Sequence, residues 1–331
     1  MDSRERIRTL IAGEPADRCG LWLGNPHNET WPILKAHLCV DTKEAVRLAL
    51  GDDLRWIYPR GYYHPEGHGL FYIPGKVAHG TLGPFATATE VAQIEDYDWP
   101  RLEYLDFDED LERLRNVGPY YRASGMWAPF YHNVMDLFGM EQYMMNMYLR
   151  PELVHAVTDR VCQFYYDANE LFFRQAGDAI DGYFFGNDFG TQLDLICGPK
   201  QFDTFIMPWF RTFTEQAHRW GYQVILHSCG AIHKVIDRLI EAGVECLHPL
   251  QAKAVGMSAD DLQPFKGRIT FMGGIDTQDL LVNQSPADVR ADVRRVKALL
   301  GPRLIVSPSH EAVLPNVPPA NIAAMAEEAV R

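Results

Sequence analysis

The sequence predicts an α/β protein, a (β/α)8 TIM barrel, on three observations. From about residue 180 onward, short apolar runs alternate with amphipathic helical patterns, as a parallel sheet with helical crossovers requires. The apolar runs are followed by polar or metal-ligating side chains, the arrangement found at the carboxyl rim of a barrel. No G-x-G-x-x-G follows any of these runs, so an open, doubly wound sheet lacks its main support.

The first helix shows in Ile7, Leu10 and Ile11 at helical spacing, closed by Gly13. A strand follows at 20–23, and Asp41-Thr42-Lys43-Glu44 caps a helix ending at Gly51. Residues 59–100 are rich in Gly, Pro and Tyr, with short apolar runs such as 70–73. They predict a hairpin-rich insertion near the barrel mouth, too short to bury a core alone. Strands at 122–127 and 180–185 come next. Pro199 then opens a helix with Phe202, Phe205, Ile206, Trp209, Phe210 and Phe213 on one face. Strand 223–226 leads to a helix carrying Ile232, Val235, Ile236, Leu239 and Ile240, stopped by Gly243. After strands at 244–247 and 269–272, Ser285-Pro286-Ala287-Asp288 begins a helix with Val289, Val293, Val296 and Leu300, ended by Gly301. The last strand is 304–306 and the last helix 322–330.

With 331 residues, 47% of them hydrophobic, the chain can bury one large core. No Ser/Gly-rich or charged linker divides it, so residues 1–331 read as one domain with 59–100 inserted. A net charge of −13 without a basic patch argues against nucleic acid or an anionic membrane as partner. The pair Arg294-Arg295 belongs to a solvated helix face. The amino end, Asp2-Ser3-Arg4-Glu5-Arg6, is charged, and no run approaches the roughly 18 apolar residues of a membrane span. Six scattered cysteines in so large a chain read as reduced thiols of a cytoplasmic protein.

The residues after each strand supply the chemistry. Asn187 and Asp188 follow 180–185, His227 and Cys229 follow 223–226, and His248 and Gln251 follow 244–247. Gly273-Gly274, Asp276 and Gln278 follow 269–272, and His310 and Glu311 follow 304–306. Loops are polar in general, which accounts for Asp and Gln; histidines and a cysteine beside apolar strands need a further reason. In His227-Ser228-Cys229-Gly230, residues i and i+2 at a strand end point to the same side, so an imidazole and a thiolate can share one metal. Gly230 permits the tight turn that follows. The third ligand is His310 across the rim or His233 one turn on. His310 is favoured, because His233 must bend back over Gly230. Asp188 or Glu311 completes the shell or serves as acid/base. His64-Pro65-Glu66-Gly67-His68 also has ligand-like spacing, though surface exposure ordinarily explains such a pair in a Gly/Pro-rich insertion. Trp22, Trp31, Trp127, Phe130 and Tyr131 can line a pocket for a flat ligand, or simply belong to the core as aromatic residues usually do.

As a set, several motifs resemble the uroporphyrinogen decarboxylase superfamily across nearly the whole chain. They are Arg6–Arg18 with Gly13-Glu14-Pro15-Ala16-Asp17-Arg18, Gly186-Asn187-Asp188, His227-Ser228-Cys229-Gly230, Gly273-Gly274-Ile275-Asp276-Thr277-Gln278 and Pro308-Ser309-His310. The resemblance implies a (β/α)8 barrel and one of two chemistries: metal-free decarboxylation of a tetrapyrrole, or zinc-dependent methyl transfer involving corrinoid proteins. The decarboxylases carry an arginine-rich loop after the first strand, which clamps the substrate's carboxylates. Here that stretch is Gly20-Leu21-Trp22-Leu23-Gly24-Asn25-Pro26-His27-Asn28, and no arginine occurs between Arg18 and Arg47.

The methyltransferase branch is more similar. Its zinc motif is His-x-Cys with a distant Cys after the last strand. His227 and Cys229 match the first two positions, and the third falls at or near His310, a histidine in place of cysteine. Replacing a thiolate leaves a more Lewis-acidic metal, suited to pulling on an ether oxygen. The resemblance thus implies a zinc-dependent, O-demethylase-type methyltransferase component. It moves a methyl group between a small substrate, such as a methoxylated aromatic, and a corrinoid protein. Asp188 and Glu311 are its proton donor or orienter, while Trp22, Tyr131, Asn187, Gln251, Asp276 and Gln278 bind substrate. No Asp-x-His-x-x-Gly occurs, so the corrinoid arrives on a separate partner protein. The alternatives are a metal-free decarboxylase of a small acid or tetrapyrrole, with Asp188 as general acid, and a non-catalytic corrinoid- or tetrapyrrole-binding protein.

Overall fold

In the computed structural model, which describes residues 1–76, 78 and 80–331, eight parallel strands form one sheet, nearly closed into a barrel. They are β1 (Gly20–Leu21), β2 (Leu54–Trp56), β3 (Tyr121–Ser124), β4 (Gly182–Gly186), β5 (Gln223–His227), β6 (Cys246–His248), β7 (Thr270–Ile275) and β8 (Leu304–Pro308). Their order is β1-β8-β7-β6-β5-β4-β3-β2. At the seam the N–H of Asp53 donates to the carbonyl of Leu21 (2.9 Å), and the Trp22 and Trp56 rings meet edge to face.

Side chains alternate across this sheet, as strand geometry demands. Leu54, Tyr121, Phe184, Ile225, Cys246, Met272 and Ile305 fill the barrel with Trp22, while Phe185, Leu226, Leu247, Phe271 and Val306 pack outward under the helices. The first helix, Ser3–Ala12, adds Ile7, Leu10 and Ile11 to the inner cluster and so plugs the amino end. That leaves the carboxyl end as the mouth.

The architecture is the predicted one; several details are not. Strand β2 has no counterpart in the pattern reading, because Leu54-Arg55-Trp56 offers no apolar run and its central arginine is buried in ion pairs with Glu44 and Asp52. The insertion 59–100 holds turns and a short 3-10 helix, Val91–Ile94, in place of hairpins. Among its described residues pairing is limited to an isolated bridge, Tyr62 with Leu105. Proline and glycine recur every few residues there and interrupt any ladder. Residues 77 and 79 of that segment lie outside the described ones. The helix opened by Pro199 contains a π-turn, Phe202–Ile206, before Met207–Arg219. Pro208 has no N–H to offer the carbonyl four residues back, which accounts for the wider turn. Finally, β7 runs through Gly273-Gly274 to Ile275. A Cβ at Gly273 would stand 1.7 Å from the Pro249 carbonyl oxygen, so only glycine lets the β6 loop lie this close.

The six cysteines are free thiols: Cys162, Cys197 and Cys246 buried, Cys19 and Cys229 half-buried, Cys39 exposed. No helix among the described residues is long and apolar enough to cross a membrane.

Candidate metal centre

Parallel register places His227, the last residue of β5, beside His248, the last residue of β6. Both share the inward phase of Ile225 and Cys246, so both imidazoles enter the mouth of the barrel. Their Nδ1 atoms stand 3.0 Å apart. On the other edge of His227, Nε2 lies 3.2 Å from Asp188 Oδ1 and 3.5 Å from Cys229 Sγ. Asp188, two residues past β4, is fixed by the Cys229 N–H, which donates to Oδ1 at 2.8 Å. The turn is pinned from β6 as well, since the Gly230 N–H donates to Gln251 Oε1 at 2.6 Å. Gly230 has φ +88°, and a Cβ there would meet the Gly190 carbonyl oxygen at 2.2 Å. The tight His-x-Cys-Gly turn therefore depends on glycine for both conformation and space.

Electrostatics sorts the two rings. Burial opposes a charge on His227, but its hydrogen bonds to Asp188 and Cys229, with the negative charge of Glu311, outweigh it and hold its pKa well above the ordinary imidazole value. For His248, burial and then the charge on His227 push the pKa well below it. A neutral His248 accepting at Nδ1 makes His227 donate from its own Nδ1. That bond turns the Nε2 edge of His227 toward Asp188 and Cys229, where a metal would take the place of the Nε2 proton, the orienting role that partners of metal-binding histidines play. Burial raises the Cys229 thiol, an effect that His227 partly offsets. Trp127 covers the His227 ring at 5.3 Å between centroids.

The ligand atoms of Asp188, His227 and Cys229 all lie within 4.8 Å of one another. Nitrogen, sulfur and carboxylate oxygen are the donors zinc takes, at about 2.0–2.3 Å, which puts neighbouring ligands of a tetrahedron roughly 3.2–3.8 Å apart. The spacings of 3.2 and 3.5 Å fall in that range. Glu311 stands next to this trio, its Oε2 3.7 Å from His227 Nδ1 and 3.5 Å from His310 Nδ1. That oxygen is buried and has no hydrogen-bond partner.

The other expected site residues are distributed as follows. His310 stands outside the trio; its Nδ1 accepts from the Ala312 N–H (3.1 Å), and Glu311 links it to His227. His233 lies on the turn His233–Val235 with its Nδ1 donating to the Val255 carbonyl (3.0 Å). Asn187 is buried, its Oδ1 accepting from the Tyr131 N–H and its Nδ2 donating to the Ala128 carbonyl, so it clamps the loop after β3. Tyr131 is buried in the core cluster, and Trp22 lies beneath His248 with ring centroids 4.9 Å apart. Asp276 accepts from the N–H groups of Gln278, Asp279 and Leu280 and starts the next helical turn, while Gln278 is exposed. The sequence places His248 at the rim but gives it no role there. Its phase, matching that of His227 on the next strand, was the available signal, but register between strands is not written in either strand alone.

The family described as Uroporphyrinogen decarboxylase (URO-D) matches residues 123–331, which takes in β4 to β8 and the whole cluster. No curated protein matches the chain in sequence. Among solved structures, the chain is similar to a methyltransferase from Methanosarcina mazei, with 15% identity and a TM-score of 0.67 over 99% of this chain and 98% of that one. A protein described as a vitamin-B12 independent methionine synthase from Listeria monocytogenes aligns over 95% of this chain and 96% of its own, at 11% identity and a TM-score of 0.43. At such identities the likeness to the first is one of fold.

Proposed function

The chain belongs to the uroporphyrinogen decarboxylase family, and from that premise we propose a zinc-dependent methyltransferase component working with a corrinoid carried by a partner protein. The observation that carries this is the Asp188–His227–Cys229 trio at the barrel mouth, where enzymes of this architecture place their chemistry. His227 and Cys229 hold the ion with Asp188. His310, the distant ligand expected from the motif, stands one carboxylate away through Glu311. Bound there, zinc supplies Lewis acidity to the oxygen or sulfur that bears the methyl group. The protein's own contributions are definite. His248 orients His227, Glu311 presents a carboxylate oxygen that makes no hydrogen bond to the same space, and Trp127 packs against the ring.

Two features favour this over decarboxylation. The loop after β1 has no arginine, and Arg18 is spent on Asp53 at the opposite end of the barrel. Asp188 accepts from the Cys229 N–H and faces His227, an environment built for a carboxylate rather than for a proton-bearing acid. A fold relative that is a methyltransferase agrees with the proposal.

The test pairs zinc content with transfer of methyl from a methoxylated benzoate to added cob(I)alamin, in wild type, H227A, C229A, H310A and H233A. We expect H227A and C229A to lose the ion and the transfer together, and H233A to keep both. Transfer that survives loss of this zinc would overturn the mechanism. Visible corrinoid bands on the purified protein without any turnover would favour a binding role instead.

A further inference from the structure

The pair His64 and His68, whose spacing is ligand-like in the sequence, acquires a third member in three dimensions. Asp98, thirty-odd residues on, brings its Oδ2 to 3.0 Å from His64 Nε2. The ligand atoms of His64, His68 and Asp98 all lie within 4.8 Å of one another. Local chemistry explains how the pair is presented. Pro65 fixes the start of a turn that the Gly67 N–H closes on the His64 carbonyl (2.8 Å), with Gly67 at φ +73°. The turn stacks the two imidazoles, 4.9 Å between centroids and 7° from parallel. Tyr72 stacks on His68 at 4.0 Å and Tyr104 abuts His64 edge-on at 5.3 Å.

We propose that His64, His68 and Asp98 form a second site, for a divalent cation of the zinc class, which fastens the two ends of the insertion between β2 and β3. Two imidazoles and a carboxylate are an accepted donor set for zinc, nickel or copper. Charge is matched: Glu66 Oε2 lies 3.6 Å from His68 Nε2, so a second carboxylate faces the ion's position. Arg101 approaches the other oxygen of Asp98 only to 4.0 Å, which leaves Oδ2 to His64. An entry path exists as well, because all four groups line a cavity of about 470 Å³ together with Tyr62, Tyr72 and Tyr97. Loading the site requires specific changes. Nε2 of His64 exchanges its proton for the ion, the ring's proton moves to Nδ1, and Nδ1 gives up the bond it now accepts from the exposed Glu66 N–H (3.1 Å). The stacked rings open toward each other so that both in-plane lone pairs meet one ion. The clip adds to what already joins these segments, the Tyr62–Leu105 bridge and the Tyr62–Tyr104 contact.

Equilibrium dialysis of chelator-stripped full-length protein against zinc separates this site from the barrel centre. Wild type is expected to take up one equivalent more than H64A/H68A and one more than C229A, and D98N is expected to lose the same equivalent as H64A/H68A. Uptake by H64A/H68A and D98N equal to wild type would overturn the proposal while leaving the barrel site standing. A zinc equivalent lost in H64A/H68A but untouched by C229A would do the reverse. A second readout avoids relying on stoichiometry: zinc should slow proteolytic cleavage within 62–105 in C229A, and should have no such effect in C229A/H64A/H68A. Equal protection in both would also overturn it.

Discussion

The two ends of the barrel are both lined with charged and polar side chains, yet they are finished in opposite ways. At the amino end, Asp53 is buried and receives Arg6, Arg18, the Ser3 hydroxyl and the Leu21 N–H, all within 2.9 Å. Asp181 is likewise taken up by Arg4, Arg8 and Arg122. Both oxygens of each of these two carboxylates have partners. At the carboxyl end, His248 Nε2 and Glu311 Oε2 are buried without a hydrogen bond, and the ligand atoms of Asp188, His227 and Cys229 gather within 4.8 Å of one another. Unpaired buried polar atoms cost stability and persist where function uses them. The first end is closed by ion pairs; the second leaves ligand atoms open, as the proposed metal centre requires.

Substitutions at the two ends should therefore fail in different ways. C229A should leave the fold intact and cost methyl transfer about 10³-fold or more, since several kcal/mol of charge stabilisation leave with the ion; parallel circular dichroism and turnover assays check this. At the other end, D53A takes the buried carboxylate from Arg18 and from Nη1 of Arg6 and should cost about 3–5 kcal/mol in denaturant unfolding, with zinc affinity unchanged. Lost affinity at unchanged stability would erase the contrast between the ends. H248A should weaken zinc binding about 10–100-fold, by releasing the His227 ring, without moving the unfolding midpoint by a comparable amount.

The smallest effect concerns acid. Hydrogen bonding to Arg6 outweighs burial and holds the Asp17 carboxyl well below the usual range. With the folded pKa depressed, the pair stabilises fully above about pH 4 and its contribution fades as pH falls from there. D17N should thus be slightly less stable at pH 7 and show a shallower loss of melting temperature below about pH 4.

The later barrel strands were legible because each pairs an apolar run with a helix of matching period, and His-x-Cys-Gly was legible because its spacing is local. What escaped was non-local. Strand β2 forms because Arg55 finds Glu44 and Asp52, not because its own three residues favour a strand. The pairing of His248 with His227 depends on the register of β5 with β6. Asp98 joined His64 only once the turns of the insertion were in space.

The central claim is that Asp188, His227 and Cys229 share one ion. Zinc K-edge X-ray absorption on the loaded H64A/H68A protein tests it most directly. The account predicts a single sulfur at about 2.3 Å with nitrogen and oxygen at about 2.0–2.2 Å, the sulfur vanishing in H64A/H68A/C229A. A loaded ion with no sulfur neighbour would contradict it.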